Sequence, residues 1–238
     1  MKEGITGRFY LFILLFGICF FSLLNFAVDG LVEQCRRDFE EGEERKRRRQ
    51  PVRYVIIGLT GGIAALLCSH YAGETVREGI LTFLFLGVLI ITAAVDQETM
   101  EIPDCLPAAV LILSAASLLF KPDGLLELSA ASRVIGFFSV SIPMLLTALA
   151  IPGAFGGGDI KLMAACGMFL GWKRNLLALF LAVLGGGGWG AWLLIRKRAS
   201  KKDVFAFGPF LCAGMAVSLF WGQRLIQWYL GIMRQTVH

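Results

Sequence analysis

The chain has 238 residues, 56% of them hydrophobic and 17% charged, against about 25% charged in an ordinary soluble domain. That balance excludes a soluble globular protein, a disordered chain, a collagen and a coiled coil. Lys and Arg outnumber Asp and Glu by 23 to 18, a formal net charge of +5, but the basic residues gather beside apolar runs with no groove-reading module, so they read as membrane topology signals and not as a nucleic-acid surface. The first apolar run, Phe9 to Val28, follows a short polar start with Lys2 and Arg8. It is longer than the about 7 to 15 residues of a signal-peptide core and stops at Asp29-Gly30 without a small-x-small cleavage site, so it reads as a retained signal anchor. A charged stretch follows, in which Asp38, Glu40, Glu41, Glu43 and Glu44 lie among Arg36, Arg37, Arg45, Lys46, Arg47, Arg48, Arg49 and Arg53. It reads as a charged helix extension or a solvated loop.

Further spans are predicted at 54–70, 79–95, 105–120, 133–151, 160–172, 175–195 and 204–221, of which 160–172 is short for a bilayer. A tail at 223–238 carries Trp228 and Tyr229 and is either an interfacial helix or the end of the last span. The expected fold class is an all-α membrane protein, a polytopic helical bundle of about eight transmembrane helices. The division is an anchor and charged loop over 1–53, a membrane domain over 54–222 and a tail over 223–238. With the loop at 35–53 in the cytoplasm, alternation places the connections 96–104, 152–159 and 196–203 on the same side. The last of these carries Arg196, Lys197, Arg198, Lys201 and Lys202, as the positive-inside rule requires. Six single cysteines without a C-x-x-C pair, and two histidines, offer neither a zinc pattern nor a disulfide framework.

Two carboxylates stand where water meets lipid. Asp96 follows the apolar run ending Thr92-Ala93-Ala94-Val95 and opens a polar turn that reaches Pro103-Asp104, where the span is expected to end. An ionisable residue at this depth is costly unless it faces a polar interior. Glu98 and Glu101 read as solvated loop residues. Asp159 closes the stretch Gly156-Gly157-Gly158-Asp159 and opens the next helix, where an N-cap is the simplest reading. Together the two Asp residues lie at the cytoplasmic ends of elements able to pack side by side. Neighbouring carboxylates share a proton, one pKa being raised, which suits water-mediated hydrolysis of a peptide bond. The glycines would let an extended chain pair with the backbone beside Asp159. A transporter reading would need charge at mid-span, where the sequence has almost none.

Three motifs carry a family resemblance: Asp96 followed by Pro103-Asp104; Gly156-Gly157-Gly158-Asp159-Ile160-Lys161-Leu162 continuing to Gly171-Trp172; and Phe207-Gly208-Pro209-Phe210-Leu211. In this order they resemble the type IV prepilin leader peptidases, a group of GxGD intramembrane aspartyl proteases, over about residues 54–222. The resemblance implies that Asp96 and Asp159 are the catalytic pair and that Gly156, Gly157 and Gly158 shape the active-site loop. Asp104 is the second choice for a catalytic carboxylate. Lys161 binds or neutralises nearby charge, or snorkels to the interface. The implied partners are a prepilin or pseudopilin helix, entering laterally with its basic leader in the cytoplasm, and membrane lipid. No metal or organic cofactor is implied, and the implied location is the bacterial cytoplasmic membrane with the site facing the cytoplasm. Larger members carry an insert with two cysteine pairs and also N-methylate the processed pilin. Here Cys35 alone stands in that region, so a bifunctional enzyme is an alternative, as is a non-catalytic assembly factor. The acidic patch from Asp38 to Glu44, or Glu98 and Glu101, is the expected attraction for a basic leader. Gly185 to Gly188 read as a close-packing or bending segment.

Overall fold

The computed structural model describes residues 2–39, 51–71, 76–120, 128–151, 153–196 and 206–236. These residues form eight helices: α1 (Lys2–Phe39), α2 (Pro51–Tyr71), α3 (Val76–Thr99), α4 (Cys105–Phe120), α5 (Ala130–Ala150), α6 (Gly157–Leu170), α7 (Trp172–Ile195) and α8 (Gly208–Thr236). Six contain stretches long and apolar enough to cross a membrane: Leu11–Cys35, Arg53–Tyr71, Arg77–Thr99, Ala130–Ala150, Trp172–Leu193 and Gly208–Met233. α4 is a shorter apolar helix and α6 has 14 residues. Exposed apolar side chains such as Phe12, Phe26, Ile112, Leu149 and Phe180 cover the outside, as lipid-facing surfaces require and water-facing ones do not. The protein is an integral, multi-pass helical membrane bundle.

α3 lies at the centre, packed against α1, α2, α4 and α8. The buried rings of Phe85 on α3 and Phe169 on α6 stack with centroids 4.2 Å apart, which fixes the short α6 against the centre. Lipid supplies little hydrophobic drive for helix pairing, so close backbone approach and interhelical hydrogen bonds carry it. The α5–α6 crossing shows this. A Cβ on Gly136 would lie 2.2 Å from the Gly167 carbonyl oxygen, and one on Gly167 would lie 2.0 Å from the Gly136 oxygen. Buried Asn175 of α7 donates from Nδ2 to the carbonyls of Gly136 (3.2 Å) and Met163 (3.1 Å), tying three helices together.

Two element ends differ from the sequence reading. α1 does not stop at Asp29-Gly30 but continues to Phe39, because Asp29 finds partners on α2 and so remains tolerable within the helix. α3 does not end at Val95. It includes Asp96 and one further turn to Thr99, and the chain turns at Met100, whose φ is +56°. Proline restrains the residue immediately before it, so Pro103 acts on Ile102 and leaves Asp96 helical. Thr99 Oγ1 donates to the Val95 carbonyl at 2.9 Å and the Met100 N–H to the Asp96 carbonyl at 2.8 Å, closing that last turn. α8 runs without interruption to Thr236, taking in the described part of the segment read as a tail. The basic and acidic runs at 40–50 and Lys197, Arg198, Lys201 and Lys202 lie outside the described residues.

Candidate active site

Asp96 stands in the last turn of α3 and is 5% exposed. Its Oδ2 accepts the backbone N–H of Gly208 at 2.8 Å. Gly208 is the first residue of α8, where N–H groups have no intrahelical acceptor and the helix dipole favours negative charge. A Cβ at 208 would lie 2.6 Å from the same oxygen, so only glycine leaves the carboxylate room. Pro209, next in α8, needs no N–H partner in a first turn. The Phe-Gly-Pro motif therefore does more than start a helix: it presents a backbone amide to Asp96.

Asp159 enters from α6, which starts at Gly157 with Gly156 as N-cap. Asp159 is therefore in the first turn and not itself the N-cap. Its Oδ2 accepts the Gly156 N–H at 3.3 Å. Its other oxygen, Oδ1, is buried with no hydrogen-bond partner among the described residues. Burial, and next the negative charge of Asp96, push this carboxyl up to about 6 against the opposing Gly156 hydrogen bond. A Cβ on Gly158 would meet Ile102 Cβ at 2.8 Å, so the absence of a side chain lets α6 seat against the α3–α4 turn. Gly157 has no neighbour that would exclude a side chain. The result is an asymmetric pair of carboxylates at one end of the bundle, one held by the α8 amide and one with a bare oxygen.

Asp104 belongs elsewhere. Lys161 Nζ donates to both its oxygens at 2.7 and 2.8 Å, and the two side chains are 73% and 58% exposed. This pair bridges the residue before α4 to the second turn of α6 and flanks an apolar groove with Pro107, Leu111, Phe138 and Ile142. Phe155, before α6, and Phe207, before α8, bring their rings to 6.0 Å, so both residues ahead of the helix starts meet near the carboxylate pair.

A group of charges at the same end was not expected from sequence. Arg53 at the start of α2 donates from Nη1 to Glu98 Oε1 on α3 and from Nη2 to Asp29 Oδ1 on α1. Tyr54 Oη donates to Asp29 Oδ2 at 2.6 Å. Glu98 thus sits in the last turn of α3 as an ion-pair partner and not in a loop, and both it and Glu101 are exposed residues. The available signal was Asp29 at the end of a 20-residue apolar run: a carboxylate there calls for a nearby cation.

Residues 83–191 match the type IV leader peptidase family. The chain is 27% identical over 184 residues to the prepilin leader peptidase/N-methyltransferase of Legionella pneumophila, covering 76% of this chain and 63% of that protein. To the protein of the same name in Bacillus subtilis it is 31% identical over 165 residues, covering 67% and 65%. To that of Pseudomonas aeruginosa it is 26% identical over 179 residues, covering 75% and 61%. The chain spans less than two thirds of the length of these curated relatives. No solved structure matches it. Asp96, Asp104, Asp159 and Lys161 all lie inside the stretch 83–191, over which the chain matches the type IV leader peptidase family.

Proposed function

We propose that the protein is an intramembrane aspartic endopeptidase that removes the short basic leader of a type IV prepilin or pseudopilin at the cytoplasmic face of the bacterial cytoplasmic membrane, with Asp96 and Asp159 as its catalytic pair. The observation that carries this reading is the unequal pairing of the two carboxylates at one end of the bundle. Asp96, facing the positive end of α8 through the Gly208 N–H, is the ionised member. Asp159, with its bare oxygen and a carboxyl pushed up to about 6, is the member that takes the single proton of the catalytically active, half-protonated pair. Asp96 takes a proton from water as the water oxygen attacks the scissile carbonyl carbon. Asp159 donates its proton towards the carbonyl oxygen, giving a neutral gem-diol. Collapse of that intermediate breaks the C–N bond, and the proton held by Asp96 passes to the leaving amine while a hydroxyl proton returns to Asp159. The sequence of steps restores both carboxyls to their starting states and needs no metal or cofactor. The names of the relatives also include N-methyltransferase, and the peptidase reading is preferred for this chain because the described carboxylate pair supplies hydrolysis.

The test is incubation of the full-length protein, in membranes, with a prepilin reporter that carries a basic leader, a glycine before the cut and an apolar segment after it. Wild type is expected to release the leader, and Asp96→Asn and Asp159→Asn each to lose at least ~100-fold in rate. Wild-type processing by both variants would rule the reading out. Mass analysis of the product's new amino terminus separates cleavage alone from cleavage with methylation.

A further inference from the structure

We infer that Arg53 is a positioning residue for Asp96: by gripping Glu98 it fixes the last turn of α3 to α1 and α2, so that the helices preceding the family-matched stretch form part of the working site. The inference rests on the reading of Asp96 and Asp159 as the catalytic pair. Asp96 and Glu98 share one helical turn but, at about 100° per residue, face opposite sides of it. Asp96 turns to α8, where Gly208 holds it. Glu98 turns to α2, where Arg53 holds it. Terminal helical turns are otherwise the first part of a helix to open, and this one ends at Met100 in a left-handed backbone conformation.

Arg53 suits the task by chemistry. Its planar fork offers two parallel donor sets, and here each set takes a carboxylate from a different helix, Asp29 from α1 and Glu98 from α3. Tyr54 Oη adds a third contact by holding the second oxygen of Asp29. The side chains of Arg53, Asp29 and Glu98 are 13%, 23% and 22% exposed, so solvent screens these ion pairs only in part. An ammonium group on a flexible stem does not reproduce that double grip. Displacement of a reacting group by about 1 Å is enough to cost ~100-fold in rate, and the turn carrying Glu98 carries Asp96 with it.

The experiment uses full-length protein in vesicles of phosphatidylethanolamine and phosphatidylglycerol, with the prepilin reporter described above. Arg53→Gln, Arg53→Lys, Glu98→Gln and the Arg53→Gln/Glu98→Gln double variant are compared for kcat, KM, pH profile and thermal stability. Expected are a kcat lowered by ~10- to ~100-fold in Arg53→Gln and Glu98→Gln with KM within about threefold, a displaced pH profile, partial recovery in Arg53→Lys, and a double variant no worse than the more severe single one. Unchanged kcat, losses that multiply in the double variant, or a change confined to KM would overturn the inference. Should Arg53→Gln fail to accumulate, Glu98→Gln decides alone, since it keeps the side-chain shape and removes only the charge. Asp96→Asn and Asp159→Asn run alongside. If both remain active, the catalytic reading fails; if both are inactive while Arg53→Gln and Glu98→Gln match wild type, only the role of Arg53 fails.

Discussion

Asp159 illustrates how a carboxyl proposed for catalysis sets itself against stability. Its folded-state pKa of about 6 exceeds the ordinary value of 3.8, so folding favours the protonated form. The cost of ionising it in the fold is absent below the ordinary value, builds as pH rises from 3.8 to about 6 and is complete above that. Asp159→Asn should therefore raise thermal stability at pH 7.5 by roughly 1–2 kcal/mol after allowance for solvent screening, with the advantage disappearing below about pH 4. Thermal unfolding in detergent across that pH range measures it, and equal stability at pH 7.5 would show that the carboxyl is not strained. Gly208→Ala tests the other half of the pair. A methyl group 2.6 Å from Asp96 Oδ2 must displace the carboxylate from its amide, a charged hydrogen bond worth about 2 kcal/mol, so kcat should fall ~30-fold with the bundle still folded. At this scale the sequence marks the two aspartates by their place beside lipid. It does not mark Glu98 or Gly208 in the same way, since an acid after a span and a Gly-Pro helix start are both ordinary, and their partners lie 45 and 112 residues away.

Among the elements, the spans were legible because the bilayer imposes a length and an apolar composition on each. Their ends were less so. α3 carries Asp96 inside its helix because hydrogen bonds from Thr99 and Met100 close the turn, while composition alone suggests a break at the first charge. α1 passes through Asp29-Gly30 for a related reason, a partner on another helix that no local pattern discloses. The α5–α6 crossing gives the element-scale prediction. Gly136→Ala or Gly167→Ala puts a methyl about 2 Å from an opposing carbonyl, forcing the helices apart, and each should destabilise the protein by about 1–3 kcal/mol. Asn175→Leu should act on the same joint by leaving the Gly136 and Met163 carbonyls without their shared donor. Unfolding of the purified variants in detergent checks both, and wild-type stability of Gly136→Ala would mean the crossing is looser than its geometry. Since α5 and α6 together set the angle of Asp159, activity should fall further than stability alone accounts for.

Across the whole molecule, the amino-terminal ends of α2, α4, α6 and α8 and the carboxyl-terminal end of α3 meet at one side of the bundle, and the carboxylate pair, the Asp104–Lys161 bridge and the Arg53 group all lie there. The basic segments that argue for a cytoplasmic orientation fall outside the described residues, so orientation is best measured from this end directly. Cys105, exposed at the start of α4 and next to Asp104, is a ready reporter. In a variant that keeps it as the sole cysteine, a membrane-impermeant maleimide should label it in inside-out vesicles and spare it in intact cells; the reverse pattern would place the site on the outer face. That the ends of α3 and α6 lie on one side was readable in sequence from the alternation of apolar runs, whereas the three-helix origin of the site was not, because α3, α6 and α8 meet only after folding.

The hydrogen bond from Gly208 to Asp96 spans 112 residues of chain, and that separation has a meaning in time. During synthesis Asp96 enters the membrane well before the last helix exists, and until α8 arrives its carboxyl lacks the amide hydrogen bond that holds it in place. If Asp96 is catalytic as proposed, a nascent chain is silent, and cleavage starts only when the final helix docks.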